Sequence, residues 1–288
     1  MAIEAPAGRV AAASLDSAAD LDLSVVIPAY NEADRIAETV RVTIEELRKL
    51  DCTYELVIVD DGSADHTHRQ AREVAAQQTE PGYGEVHVVT YDRNGGKGYA
   101  VRYGAACTKG KFVAFLDADL ELHPRLLARL LKIQANTNAD IVIGSKRHPD
   151  SVIDYPRERK LYSTIYYYLC RVLFGLPVHD TQTGIKLLRG DFARQVLPTL
   201  TVDRFAYDLE MLAVAHHLGL RIAEAPIELT FNRPFARING GDIRRICVDT
   251  AVVWWRLRVS GKHHPAILLA TVSTAMDSHS SSSSLGPR

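Results

Sequence analysis

Two acidic clusters each close a run of apolar, strand-forming residues. Leu56-Val57-Ile58-Val59 runs into Asp60-Asp61-Gly62-Ser63, and Phe112 to Leu116 runs into Asp117-Ala118-Asp119. Carboxylates at the carboxyl ends of buried parallel strands stand where open α/β sheets bind ligands. Together the clusters imply one site for a nucleotide and a divalent metal. Mg²⁺ and Mn²⁺ want hard oxygen ligands and neutralise a departing diphosphate. In the Asp117-x-Asp119 pair one carboxylate can face the metal and the other a sugar or a bound water. Glu121, two residues on, is a further candidate ligand. An isolated Asp-x-Asp reads more readily as an acidic turn before a helix. The neighbouring motifs reverse that balance.

Pro28-Ala29-Tyr30-Asn31-Glu32 also follows an apolar strand. An Asp at the end of the neighbouring strand can accept a hydrogen bond from a base N–H, and Tyr30 can stack on the base. Helix capping by Asn31 and a simple turn at Gly62-Ser63 are the plainer readings. Asn94-Gly95-Gly96-Lys97-Gly98 has the look of a phosphate cradle, with glycine amides and a lysine at a helix start. It matches neither established glycine fingerprint, and a plain glycine turn fits it as well. The adjacent pairs His216-His217 and His263-His264 point about 100° apart on a helix and make no metal face.

The elements that must hold these residues alternate strand and helix from residue 23. Strands are expected at 23–27, 54–59, 85–90, 112–117 and 140–145, with helices starting at Asn31, Asp65, Gly98 and 124 between them. That order predicts a doubly wound, mostly parallel Rossmann-like α/β sheet with right-handed crossovers. Beyond residue 150 the pattern loosens into helices at 157–174, 207–218 and 242–258 and strands near 188 and 221–226. This part is read as a helical and β-hairpin elaboration that closes over the site. Residues 1–21 read as a mobile arm, 22–235 as the main domain, 236–265 as a helical extension suited to a membrane interface, and 266–288 as a flexible, serine-rich tail.

The 34 basic and 35 acidic side chains leave no bulk basic field, so nucleic acid is not the expected partner. Cys52, Cys107, Cys170 and Cys247 have no CxxC spacing and read as reduced thiols of a cytosolic protein. No apolar run reaches the roughly 18–20 residues that span a bilayer.

The segments VVIPAYNE, VIVDDGSADHT, NGGKGYAVRYGA, FLDADLELHP, IVIGSKR, DTQTGIKLL and YDLEMLAVAHHLGLRIAEAPIE carry a resemblance. Over residues 22–235 the chain resembles family 2 glycosyltransferases of the GT-A fold. It is most similar to dolichyl- or polyprenyl-phosphate hexose synthases, and residues 180–186 favour the dolichyl-phosphate glucosyltransferase branch. The resemblance implies that Asp60 contacts the base, and that Pro28, Ala29, Tyr30 and Glu32, with Asp61, Lys97, Asp117 and Ala118, hold the nucleotide sugar. Asp117 and Asp119 would hold the metal and sugar diphosphate. Glu121 stands where mannosyl relatives have Gln, which leaves its ligand role open. Lys146, Arg159 and Ser163 would hold an acceptor phosphate, with Lys146 where relatives often show Arg.

The implied reaction is inverting transfer of a hexose from a nucleoside diphosphate sugar to polyprenyl or dolichyl phosphate. UDP-glucose is the favoured donor; GDP-mannose and UDP-N-acetylhexosamine stay open. A phosphate monoester has a second pKa near ~6 and is already anionic at neutral pH, so it needs no dedicated base. Transfer to a glycan hydroxyl would need one, and Asp208 stands where the family keeps it. A nucleotide-sugar-binding protein without catalysis is a third reading. Aromatics beside cations on helices 157–174 and 242–258 suit a headgroup boundary, or equally a cover for the sheet. The expected location is peripheral, on the cytosolic face of a membrane, with a separate membrane-spanning protein as a potential partner.

Overall fold

The computed structural model describes residues 21–78, 84–153, 157–204, 206–229 and 240–260, with backbone only at 157–163, 240–245 and 260. Apolar strands alternate with amphipathic helices in the first half: β1 (Leu23–Ala29), α1 (Ile36–Leu47), β2 (Tyr54–Asp60), α2 (Thr67–Gln77), β3 (Glu85–Thr90), α3 (Lys97–Ala106), β4 (Phe112–Phe115), α4 (Leu126–Thr137) and β5 (Ile141–Ser145). The second half adds β6 (Val152–Ile153), α5 (Arg157–Phe174), β7 (Lys186–Arg189), α6 (Gly190–Gln195), α7 (Tyr207–His217), β8 (Ile222–Pro226), β9 (Glu228–Leu229) and α8 (Gly240–Trp255).

Seven strands form one sheet in the order β3-β2-β1-β4-β7-β5-β8. Both faces are buried, as near-continuous apolar strands require. Leu23, Val25 and Ile27 of β1 pack with Ile36, Val40, Ile44 and Leu47 of α1 on one face. Val26 faces the opposite layer, with Val101 of α3 and Leu212 of α7. The chain winds from β1 outward through β2 to β3, then crosses back so that β4 lies on the other side of β1. The carboxyl ends of β1 and β4 therefore border the crevice where the winding reverses, which is where open α/β sheets take ligands.

The sheet is parallel except at β7, which runs antiparallel between β4 and β5. Its insertion brings Lys186 opposite Phe115, two residues before Asp117. Helix α1 begins at Ile36 and not at Asn31, because Asn31 adopts a left-handed φ of 52° that a helix cannot include. Among the described residues the β part of the elaboration is a short parallel pair, β6 with β9, in place of the expected hairpin. The arm at 1–20 and the tail at 261–288 lie outside the described residues, as do 230–239 in the expected extension.

Candidate active site

The chain leaves β4 through Leu116 and enters Asp117-Ala118-Asp119 beside α1. The buried Thr39 hydroxyl of α1 donates to the Ala118 carbonyl at 2.7 Å and fixes the turn. Leu120 takes a φ of 57°, and the Glu121 amide donates to Asp119 Oδ1 at 3.1 Å. Glu121 thus orients Asp119 through its backbone.

Asp117 is enclosed by cations. The Lys97 ammonium, on the first turn of α3, donates directly to its Oδ1. Burial pushes the Asp117 carboxyl up, but Lys97, then Lys186 and Lys146, hold it below the usual carboxylate range. Burial likewise works against the Lys97 charge, and Asp117, Asp208 and Asp119 outweigh it and raise its pKa. Gly184 explains how the turn before β7 comes so near: a Cβ there would lie 1.9 Å from Asp117 Oδ2.

The ends of β1 and β2 form the opposite wall. Asp60 accepts from the Thr90 hydroxyl at 2.8 Å and the Ser63 amide at 3.3 Å. Asp61 accepts from the Tyr91 hydroxyl at 2.7 Å, Asn94 Nδ2 at 3.1 Å, and the amides of Gly95 at 2.7 Å and Gly96 at 3.0 Å. The anion cradled by this glycine turn is therefore the protein's own Asp61. Gly96 is required for a second reason. It has a φ of 92°, and a Cβ would meet the Asp203 carbonyl oxygen at 2.6 Å.

A cavity of about 510 Å³ lies between the walls. Pro28, Ala29, Tyr30 and Glu32 line one side, and Lys97, Asp117, Ala118 and Asp119 the other. Tyr30 is 46% exposed, leaving its ring available for stacking. Asp60 is not among the residues that line it. Four carboxylates in the lining (Glu32, Asp61, Asp117, Asp119) face two cations, Lys97 and Arg204. A diphosphate enters such a wall only with added positive charge, and carboxylate oxygens suit a hard divalent cation. Among the described residues no three His, Cys, Asp or Glu side chains converge as a ready-made metal cage. Asp117, Asp119 and Glu121 are thus not pre-gathered, and the donor set fits a cation that shares its shell with a ligand's oxygens.

Lys146 follows β5. Its amide donates to Asp180 Oδ2 at 3.0 Å, and its ammonium lies 3.5 Å from the same oxygen. Burial opposes the charge on Asp180, yet Lys146 and three hydrogen bonds hold its pKa low. The side chains of Arg159 and Ser163, on the first turns of α5, lie outside the described residues. Asp208, in the first turn of α7, is 5% exposed, and Lys186 Nζ lies 2.7 Å from its Oδ1. That contact is a charge pair more than a directed hydrogen bond, because Oδ1 receives no hydrogen bond.

Lys186, Asp180, Gly184 and Arg204 do not appear in the sequence-derived site. Lys186 carried a signal: one lysine inside Ile185-Lys186-Leu187-Leu188, a run otherwise fit for a buried strand. Arg204 sits in a loop without periodicity and carried none.

The chain matches the profile of Glycosyl transferase family 2 over residues 24–197. It is similar to the dolichyl-phosphate beta-glucosyltransferase of Dictyostelium discoideum, 32% identical over 220 residues, covering 72% of this chain and 66% of that protein. It is also similar to glycosyltransferase AglD of Haloferax volcanii, 32% identical, covering 84% of this chain but 38% of that one. Among solved structures, glucosyl-3-phosphoglycerate synthase of Mycobacterium tuberculosis in complex with uridine diphosphate superposes with a TM-score of 0.59 at 22% identity, covering 82% of this chain and 79% of that one. The same enzyme has been solved with Mn²⁺, UDP-glucose and glycerol 3-phosphate. These likenesses establish the GT-A-like fold.

Proposed function

This chain belongs to glycosyl transferase family 2, and from that premise we propose that it moves one hexose, glucose by preference, from UDP-glucose to a polyprenyl or dolichyl phosphate. The observation that carries the reading is the cavity at the reversal of winding, where Asp117, Asp119 and Lys97 face Tyr30 and Glu32. The likeness to dolichyl-phosphate beta-glucosyltransferases supports the acceptor class.

In this reading Tyr30 stacks on the base, Pro28, Ala29 and Glu32 shape the nucleoside pocket, and Asp60 and Asp61 build its floor. A bound Mg²⁺ or Mn²⁺, held by Asp119 and Asp117, supplies the counter-charge that the departing diphosphate needs. Lys97 keeps Asp117 ionised. Lys146, with Arg159 and Ser163, receives the acceptor phosphate and offsets its repulsion from the donor. The phosphate attacks the anomeric carbon directly, so the configuration inverts.

The Lys186–Asp208 pair favours a phosphate acceptor over a hydroxyl. Asp208 is buried against Lys186, 2.7 Å from its Nζ, and is not among the residues that line the cavity, whereas an ionised phosphate needs no base. Among the described residues no helix is long and apolar enough to cross a membrane. Helix α5 exposes Ile165, Tyr168, Leu169 and Val172, and α8 exposes Val248, Val252 and Trp255. Both sets repeat at helical spacing, which supports attachment by these faces to the cytosolic surface of a membrane.

The test is incubation of the purified chain with radiolabelled UDP-glucose, polyprenyl phosphate and Mn²⁺ or Mg²⁺. An organic-soluble, acid-labile glucolipid is expected, absent with EDTA or in Asp119→Ala. Label in a glycan instead, or turnover indifferent to both treatments, overturns the proposal.

A further inference from the structure

We propose that Arg204 is a donor-binding residue that grips the diphosphate of the nucleotide sugar; this rests on the reading above. Among the described residues the cavity offers a diphosphate few other partners. The glycine turn before α3 has spent its amides: Gly95 and Gly96 donate to Asp61, and Gly98 donates to the Asp203 carbonyl at 2.8 Å. Lys97, the lysine that lines the cavity, is already on Asp117. Arg204 lines the same cavity as Asp117 and Asp119, and among the described residues it forms no ion pair.

Its backbone is held firmly for a loop residue. Arg102 donates to the Val202 carbonyl at 2.8 Å and pairs with Asp203. The Thr201 and Val202 amides each donate to Glu210 Oε2 at 2.9 Å, and the Tyr207 amide donates to the Arg204 carbonyl at 3.1 Å. The stem passes Gly96, where a Cβ would stand 3.4 Å from Arg204 Cγ. A fixed backbone that carries into the cavity of Asp117 and Asp119 a guanidinium with no ion pair among the described residues suits bidentate phosphate recognition. Arg204 also borders a second cavity of about 520 Å³, shared with Arg256 of the turn after α8. That makes Arg256 the natural control for a general effect of positive charge.

The experiment is calorimetric titration of the full chain with UDP and with uridine, both with Mn²⁺. The proteins are wild type, Arg204→Ala, Arg204→Lys and Arg256→Ala. Loss of a charged bidentate contact predicts that Arg204→Ala weakens UDP on the order of 10- to 100-fold. Arg204→Lys should fall between, and uridine binding and the Arg256→Ala variant should be unchanged. Equal UDP affinity in Arg204→Ala overturns the inference and leaves the donor reading standing. A matching loss of uridine binding, or an equal loss in Arg256→Ala, also overturns it. A wild-type protein that binds neither ligand overturns the donor reading, and the inference with it.

Discussion

Replacing Lys186 by methionine tests whether the buried charge pair on β7 organises the site. Lys186 is 1% exposed and sits 2.7 Å from Asp208, itself 5% exposed. Methionine keeps much of the apolar stem and removes only the ammonium. Asp208 Oδ1 then lies buried with no hydrogen bond and without its nearest counter-charge. Breaking a buried pair on one side costs about 3–5 kcal/mol. At ~2–4 °C per kcal/mol for a domain of this size, Tm should fall by roughly 6–20 °C. Charge balance should be restored most simply by neutralising the partner too. The double variant Lys186→Met/Asp208→Asn should regain about 1–3 kcal/mol over Lys186→Met. Urea unfolding followed by circular dichroism at neutral pH measures all four corners of the cycle. Repeating it in 1 M salt separates this pair from surface pairs, since buried charges are screened far less. A single variant within about 1 kcal/mol of wild type, or a double variant no more stable than Lys186→Met, would refute the reasoning.

Asp180 gives a pH prediction. Its folded pKa lies below the ordinary value of 3.8, so its stabilising effect is complete above that value and disappears as pH falls through the folded pKa. Asp180→Asn should be less stable at pH 7 and show a shallower loss below about pH 4, read from Tm against pH. Gly184→Ala should drive Asp117 aside, since the new Cβ would fall 1.9 Å from its Oδ2. Turnover should drop on the order of 100-fold with the circular dichroism spectrum kept, and wild-type turnover would contradict the packing. Val172→Glu/Trp255→Glu should reduce flotation with anionic vesicles at least about tenfold while sparing UDP affinity, because both side chains stand exposed on the proposed membrane face.

The parallel core was legible because its strands are buried on both faces and read as unbroken apolar runs. Val25 to Ile27 and Leu56 to Val59 could hardly be anything else. The helical period placed Ile36, Val40, Ile44 and Leu47 on one face, where they are buried. What escaped depends on contacts distant in sequence. The antiparallel entry of β7 between β4 and β5 has no local signature, because four residues satisfy either direction. Asp61 was legible as a site residue, but not its role. Its four hydrogen-bond donors come from Tyr91 to Gly96, some thirty positions away.

The acidic pair at 117 and 119 was visible from spacing, whereas the cations that make it workable were not. Lys97 begins α3, Lys146 follows β5 and Lys186 begins β7, and only the packed sheet brings them round one carboxylate. The consequence is mechanistic. Burial alone would raise the Asp117 pKa and disfavour its charge. Because three lysines outweigh that burial, it is charged before any ligand arrives. The electrostatic work of preparing the site is done during folding, so the reaction need not repeat it. Lys97, the lysine in the cavity lining, is committed to Asp117, so under the proposed function a diphosphate there would need a divalent cation and a side chain with charge to spare. In this cavity that side chain is Arg204.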